Sequence, residues 1–545
     1  MIEVEVHQQL RAFLREQGKP YWSHHLTMAR LVARALRLGR SALMQTDALS
    51  RYHGRYRLSY LVPVLMWQGP VVLVATEAVQ QRLLMVEIPQ LRTCIQTSKS
   101  IRTGDRVPSA DFQGLLLTTP EAWLSDRLYR QGRFPEAIPT IFDGVDDLEA
   151  WAFAQLTTHI QPADWDELML ACPSHTEAIR DARVQLTRSI FQRPANPYEC
   201  CLLELFEQKV LTALFQDLQL QDLNVQDLQL QDLQLQDSQL QDPQLQDLQR
   251  SATTAEAQPL PTVWERFGRA FQLDNQLLWA DISRRQGQFT LHSGPVTVSA
   301  ALAPLWSQQA VILVGGALDV DAEAIVYRQR LGLDDLTCLK FTPDRQDELI
   351  QLYLPERLPM PNTPEFQWAL IREMHSLLRV SSGMQGLTVL LVDDVPLKAQ
   401  VGSVLASEFG SRVQVERTCL DDNGVLVAGW EFWRQHQSVL PAPHLLAIAT
   451  LPIPSLENPL VAGRVAYYKK LRQDWFRLYL LPEALLELQR AIAPVRDHQG
   501  IVALLDSRVV HRNYGQQVLN ALHPVARLNY LDPSLFSQRD YSVLD

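Results

Sequence analysis

Residues 49–63 read Leu-Ser-Arg-Tyr-His-Gly-Arg-Tyr-Arg-Leu-Ser-Tyr-Leu-Val-Pro, and the apolar run Val71-Val-Leu-Val-Ala-Thr76 follows close behind. The first stretch reads as a loop with one glycine, Gly54, running into a helix start. The pattern predicts a helix from Leu58 to Trp67, with Pro63 in its early turns, where proline is tolerated. The β-branched run Val71 to Ala75 predicts a strand buried on both faces. Gln80 to Val86 reads as a helix stopped by Pro89. Gly114-Leu-Leu-Leu-Thr118 is a second buried strand, followed by a helix from Pro120 to Tyr129, and Pro139-Thr-Ile-Phe-Asp143 is a third strand ending in an acid. Strands and helices alternating at these intervals predict a parallel α/β sheet. Ligands of such sheets sit at the carboxyl ends of the strands, where Asp143 and the Gly54 loop fall.

Working outward, residues 7–40 carry helical periodicity. Leu26, Met28, Ala29, Leu31, Val32, Ala35 and Leu36 form an apolar face, and Arg30, Arg34, Arg37 and Arg40 read as a solvated one. Residues 150–215 read as helical with no strand. Residues 216–249 are a five-residue repeat, QDLQL and variants. Five residues rotate a helix by roughly 140° beyond one turn, so its leucines make no stripe, and a low-complexity linker is the simplest reading. Structure resumes at Trp264, with a strand at Val311-Ile-Leu-Val-Gly315. A second α/β unit follows, with strands at 388–392, 425–428, 444–449 and 501–506 and helices at 396–409, 460–478 and 514–522.

A chain of 545 residues accommodates roughly three or four domains, and 46% hydrophobic with 20% charged residues is a globular composition. No apolar run approaches the ~20 residues of a membrane span, and the N-terminus lacks a signal-peptide core, so a cytoplasmic protein is expected. The six cysteines, at 94, 172, 200, 201, 338 and 419, form no CxxC and no cluster of four, which predicts free thiols and neither a metal nor an iron–sulfur site. Seven of the acids behind the net charge of −11 lie in the repeat tract, so the remainder carries only −4 and leaves room for a basic nucleic-acid groove. No GxSxG or HExxH motif is present, and lone histidines such as His159 and His375 read as surface or satisfied core residues.

In order along the chain, these landmarks resemble the superfamily-two helicases of the DinG/XPD branch, and within it DinG-like bacterial DNA helicases. Leu58-Ser-Tyr-Leu-Val-Pro63 is similar to the segment after the family's phosphate loop. Val71 to Thr76 with Gln80, Gln81 and Ile88-Pro89 resembles the next motif, which lies along DNA, and Leu117-Thr-Thr119 a strand ending in threonine. Ile141-Phe-Asp143 to Leu148-Glu149 matches the frame of the DEAH box, and Val311 to Leu318 the motif that couples the two sites. In the second unit, Phe432-Trp433, Leu451-Pro452, Asn458-Pro-Leu460, Tyr479, Leu481-Pro482, Gln489, Arg496, Leu505 to Arg508 and Tyr514-Gly515 follow in family order. The resemblance implies two RecA-like parallel-sheet motor domains: a first lobe at 1–150, a helical insert at 151–215, the pentapeptide tract at 216–250, a return to the first lobe at 251–330 and a second lobe at 331–545. It implies single-stranded or branched DNA as partner, Thr76, Gln80 and Thr118 as nucleic-acid contacts, repair or replication proteins as further partners, and ATP with Mg2+ as cofactors.

The nucleotide chemistry departs from that pattern. A phosphate loop uses several glycines, a lysine for the β/γ oxygens and a Ser/Thr on Mg2+. Alignment puts Arg55-Tyr56-Arg57 at the Gly-Lys-Ser/Thr positions, with Gly54 the one glycine in reach. Gly54, Arg55 and Arg57 are thus a degenerate phosphate loop, either a residual anion site or a surface loop with solvated arginines, the second being the commoner state. The DEAH box reads Asp143-Gly-Val-Asp146, so Asp143 remains for Mg2+ while Gly144 replaces the glutamate that positions water. The Ser-Ala-Thr of relatives is Gly315-Gly316-Ala317, and the acids expected after Phe432-Trp433 are Arg434 and Gln437. The last motif keeps Gln489 and Arg496 but has Ile492-Ala493 for Gly-Arg, and the adenine-reading glutamine is His25. Asp143, Gln489 and Arg496 are therefore relics of catalytic motifs. The joint loss of electrostatic groups serving one reaction predicts impaired ATP hydrolysis on a retained fold. The alternatives are an active helicase using Arg55, Asp146 and Arg496 as substitutes, and an interaction scaffold without nucleic acid. Trp279, Trp433 and Trp475 are candidates for base stacking, though core packing is the commoner role.

Overall fold

Short runs of valine, isoleucine and leucine, too apolar to leave either face in water, build two seven-stranded sheets. The structure is a computed structural model and describes residues 2–17, 22–218, 260–342 and 349–531. The first sheet runs, in spatial order, Thr337–Lys340, Ala42–Gln45, Val311–Gly315, Thr140–Asp143, Val71–Val74, Leu115–Thr118 and Ile101–Thr103. The second runs Val413–Val415, Val425–Ala428, Leu387–Leu391, Pro443–Ile448, Ile501–Leu504, Ile350–Tyr353 and Val525–Leu528. Every pairing in both is parallel. The two α/β sheets expected from the sequence are therefore present. The pentapeptide tract lies outside the described residues, apart from 216 and 217 at the end of the Leu205–Asp217 helix and Leu218 just beyond it.

The described residues fall into two compact units. The larger, Met1–Trp151, Ser299–Pro454 and Phe476–Asp545, holds both parallel sheets. In it α1 (Ile2–Gln17) and α2 (His25–Leu38) pack beside α4 (Arg57–Met66) on the first sheet, with Val6, Leu10, Met28, Val32, Leu61 and Val64 fully buried between them. The smaller unit, Ala152–Val298 with Ser455–Trp475, is built on an antiparallel sheet of Thr158–Ile160, Gln288–Pro295, Gln276–Ser283 and Cys200–Leu202. One face of that sheet covers an aromatic core in which Trp165 and Trp264 meet edge to face at 4.8 Å.

Several local readings change. Residues 150–215 are not strand-free: Thr158–Ile160 and Cys200–Leu202 are the two edges of the antiparallel sheet. Three residues are too few to display a period of two. The chain rejoins the first sheet at Ser299 rather than at 251, because the hairpin of Gln276–Ser283 and Gln288–Pro295 pairs with those edges. The first sheet also keeps Thr337–Lys340, beyond the boundary at 330. Pro89 does not stop its helix. The Leu83–Glu87 turn is a π-helix in which the Ile88 N–H reaches back to the Leu83 carbonyl, and Pro89 then sits in the first turn of the Ile88–Cys94 helix, where no N–H is needed. The helix expected over 460–478 ends at Lys470, where Arg472 takes a left-handed conformation at φ 58° and closes it.

Candidate nucleotide cleft

The stretch after the Ala42–Gln45 strand is helical where a phosphate loop would be open. Asp47 caps α3 (Ala48–His53), its carboxylate accepting the Ser50 N–H at 2.5 Å and the Trp22 indole N–H at 3.2 Å. Five further amides turn inward as well. Arg51 N–H goes to the Asp47 carbonyl, Gly54 to Arg51, Arg55 to Ser50, Arg57 to Gly54 and Ser59 to Tyr56, at 2.9–3.1 Å. A phosphate nest needs those donors free and convergent. Gly54 adopts φ 67°, and a Cβ there would collide with the Arg57 guanidinium, so glycine serves both the turn and that side chain.

Arg57 is 8% exposed and points at the end of the Thr140–Asp143 strand. Its Nε donates to Asp143 at 2.9 Å, and its Nη1 lies 3.7 Å from Glu87. The hydroxyls of Tyr56 and Tyr60, one helical turn apart, both donate to the same Asp143 carboxylate, the Tyr60 bond at 2.9 Å. Burial pushes both phenols well above their ordinary pKa, and the neighbouring carboxylate adds to it, so they remain donors. Burial works against the Arg57 charge, yet Asp143 outweighs it and holds the guanidinium above its usual range. A buried carboxylate is tolerated only when paired and hydrogen-bonded, and here three side chains of one segment meet that need. The solvated arginine expected at 57 is overturned.

Arg51 makes the second part of the cluster. It donates to Asp146 at 2.7 Å and to Asp147 at 3.0 Å. Asp146 in turn accepts the backbone N–H groups of Gly316 and Ala317 at 2.9–3.0 Å. The arginine lies against Gly144 and Gly316. A Cβ on Gly144 would come 3.1 Å from Arg51 Nη1, and one on Gly316 2.8 Å from Arg51 Cδ. Gly144, which replaces the glutamate of the helicase pattern, and Gly316, which stands at the alanine of Ser-Ala-Thr, thus form the slot for Arg51. From the second sheet, Arg490 on the Leu481–Asp497 helix reaches Asp147 at 2.6 Å. Burial alone would raise the Asp147 pKa, but Arg490 and Arg51 overcome it and lower it. Tyr60 and Arg490 have no site signal in the sequence beyond the closeness of Tyr60 to Gly54, whereas Tyr56 stands at the aligned lysine position, Arg51 opens the arginine-rich stretch 51–57, a candidate nucleic-acid contact, and Asp147 is, with Asp146, a substitute for the missing glutamate.

The remaining candidates scatter. Arg55 pairs with Asp497 at 3.1 Å, beside His53 at 2.8 Å, so it is not a free surface arginine either. Gln489 donates to the Ala521 carbonyl at 3.1 Å. Arg496 is 4% exposed and serves the carbonyls of Leu522, His523 and Pro524. Thr76 is exposed before the Glu77–Arg82 helix, while Gln80 is buried on the Ala75 carbonyl at 2.8 Å. Thr118 is buried at the end of its strand, and its hydroxyl has no hydrogen-bond partner. His25 is buried on the Ser59 hydroxyl at 2.9 Å. Trp279 and Trp433 are core residues, the latter donating to the Ala491 carbonyl at 3.1 Å, and so offer no free ring to a base.

What is left between the two sheets is a cavity of about 320 Å3, walled by Arg51, Tyr56, Arg57, Asp143, Asp147 and Arg490 among others. That is the low end for a small-molecule site. The residues present do not fit a magnesium–nucleotide complex. The lysine and the hydroxyl ligand are replaced, the amides of Arg51, Gly54, Arg55, Arg57 and Ser59 are bonded within the segment, and the Asp143 carboxylate is held by Tyr56, Arg57 and Tyr60. Among the described residues no group of three or more His, Cys, Asp or Glu side chains is placed to hold a metal, and no helix is long and apolar enough to cross a membrane.

Residues 442–525 match the family of helicase C-terminal domains. Over 262 residues the chain is 26% identical to the ATP-dependent DNA helicase YoaA of Haemophilus influenzae, a match covering 45% of this chain and 40% of that protein. Identity to the protein of the same name from Escherichia coli is 22%, over 46% and 41% of the two chains. The fold of a solved XPD helicase superposes with a TM-score of 0.55 at 12% identity, covering 93% of this chain and all of that one; for Xpd4 of S. tokodaii the TM-score is 0.56 with the same identity and coverage. The chain is similar to helicases of the DinG/XPD type. Both lobes of that type are recognisable in it, the second also by sequence. The matched part spans about two fifths of the length of the curated DinG/XPD-type relatives, and the solved structures speak to fold alone.

Proposed function

We propose that this chain is a nucleic-acid-binding protein of the DinG/XPD helicase type that does not hydrolyse ATP. One observation carries the reading: the carboxylate that would hold Mg2+, Asp143, is neutralised from within by Arg57 and hydrogen-bonded by Tyr56 and Tyr60. A nucleotide would have to expel a buried ion pair, and nothing in the cleft offers the lysine or amide nest to compensate. The substitutes required for an active enzyme speak against that alternative. Arg55 is on Asp497, Asp146 caps Gly316 and Ala317, and Arg496 holds the 522–524 carbonyls. Single-stranded or branched DNA is the proposed ligand, by likeness to the named DNA helicases and by the retained two-lobed fold.

Purified protein titrated with Mg-ATP should show no thermal shift, and no phosphate release above background with or without single-stranded DNA. DNA-stimulated turnover that disappears in the Asp143→Asn variant would sink the proposal. Fluorescence anisotropy with labelled single-stranded and forked DNA tests the binding half separately.

A further inference from the structure

The outer face of α2 carries a charge imbalance that the cleft does not use. Residues 22–46 contain four arginines and no acid, in a chain of net charge −11. Arg30, Arg34, Arg37 and Arg40 are all exposed. Positions 30, 34 and 37 share one helix face, about 6 Å and 4.5 Å apart along the axis, and the arginine at 40 follows just past the Gly39 cap. Only Arg37 has a carboxylate, Glu3 on α1 at 2.7 Å. Among the described residues Arg30, Arg34 and Arg40 have neither an ion pair nor a side-chain hydrogen bond. The Glu3–Arg37 pair ties α1 to α2. Acids on the elements packed beside α2 are Glu3, already used, Glu5 and Glu16 on α1, and Asp334 and Asp335 before the Thr337–Lys340 strand, which adjoins Ser41. None of the last four pairs with an α2 arginine.

Solvation alone explains one such arginine. Three unpaired guanidiniums along one stretch form a locally positive surface, which complements an anion with repeated charges. Guanidinium forks favour phosphate oxygens in particular. We infer that the α2 face is a second nucleic-acid contact, a phosphate-backbone surface on the outside of the first lobe, lying apart from the strand ends at the cleft. Its expected readout is backbone charge, the partner of most protein–nucleic-acid hydrogen bonds. The inference rests on the proposed nucleic-acid binding and adds a place to it.

The test compares the full chain with an Arg30→Gln/Arg34→Gln/Arg40→Gln variant and with its Arg→Lys counterpart. Glutamine and lysine match arginine in helix propensity, so the fold is expected to survive, checked by an unchanged melting temperature. Binding to labelled single-stranded DNA is followed from 50 to 300 mM salt. Each lost phosphate contact lowers the slope of log K against log salt by about 0.7, so the glutamine variant should bind with a slope shallower by about 2, while the lysine variant keeps the parent slope. Equal slopes for parent and glutamine variant, with DNA still bound, would overturn the α2 surface and leave the proposed function standing. No DNA binding by the parent would overturn the function itself. Capture by anionic vesicles or an acidic peptide, with no capture by DNA, would overturn the inference in favour of another polyanion.

Discussion

Arg57 and Asp143 form the pair on which the cleft turns. They are 86 positions apart in sequence, 2.9 Å apart in space, and nearly dry. Removing one member of such a pair strands the other, so Arg57→Met should lower the unfolding free energy by about 3–5 kcal/mol in urea titration. A loss under about 1 kcal/mol would mean that the pair is hydrated and the cleft looser than described. Gly144 gives the complementary case. Restoring the helicase acid with Gly144→Glu places a side chain at φ 84° and against Arg51. It replaces no lost function here, since the site has been refitted around the arginine.

At the scale of the element, α3 is the replacement of a loop by a helix. The Asp47 to Pro63 segment has the residues for this: an aspartate N-cap at 47, a glycine C-cap at 54 and no run of glycines between them. The cap is testable by itself. Asp47→Ala removes the bond to Ser50 N–H and leaves the Trp22 indole without its acceptor. It should cost about 1–2 kcal/mol in chemical denaturation, with the tryptophan fluorescence of the native state altered. Unchanged stability would show that α3 does not depend on its cap. The π-turn at Leu83–Glu87 shows a limit of pattern reading. Pro89 signals a stop by the usual rule, and only the wider turn before it lets the helix continue.

For the whole molecule, ion pairs join the two parallel-sheet lobes. Arg490 with Asp147, Arg55 with Asp497, and Arg330 with Glu483 all link residues of the first lobe to residues of the second. Closure should therefore be independent of nucleotide. With dyes on the two lobes, energy transfer should not respond to Mg-ATP in the parent, and Arg490→Ala should broaden the distance distribution. A nucleotide-driven change in the parent would show that the pairs open on binding.

Much of the fold follows from composition alone. Strands such as Val71–Val74, Leu115–Thr118, Thr140–Asp143 and Val311–Gly315 are legible because burial on both faces leaves few residue types that fit. Ala42–Gln45 is not legible. It lacks β-branched residues and is a strand only because Val311–Gly315 and Thr337–Lys340 flank it. The three-residue strands of the smaller unit share that fate. The absence of a phosphate-loop lysine and hydroxyl is likewise plain in the sequence. What took their place is not. An ion pair is a statement about distance, and distance between remote positions is set by the packing of sheets and helices. Arg57 therefore reads as a surface charge in a loop until the fold brings Asp143 to it, and Arg51 gains its partners only when Asp146 and the two glycines reach it. Gly144 reads as erosion in the linear chain, and with Gly316 as a wall of an arginine slot once folded.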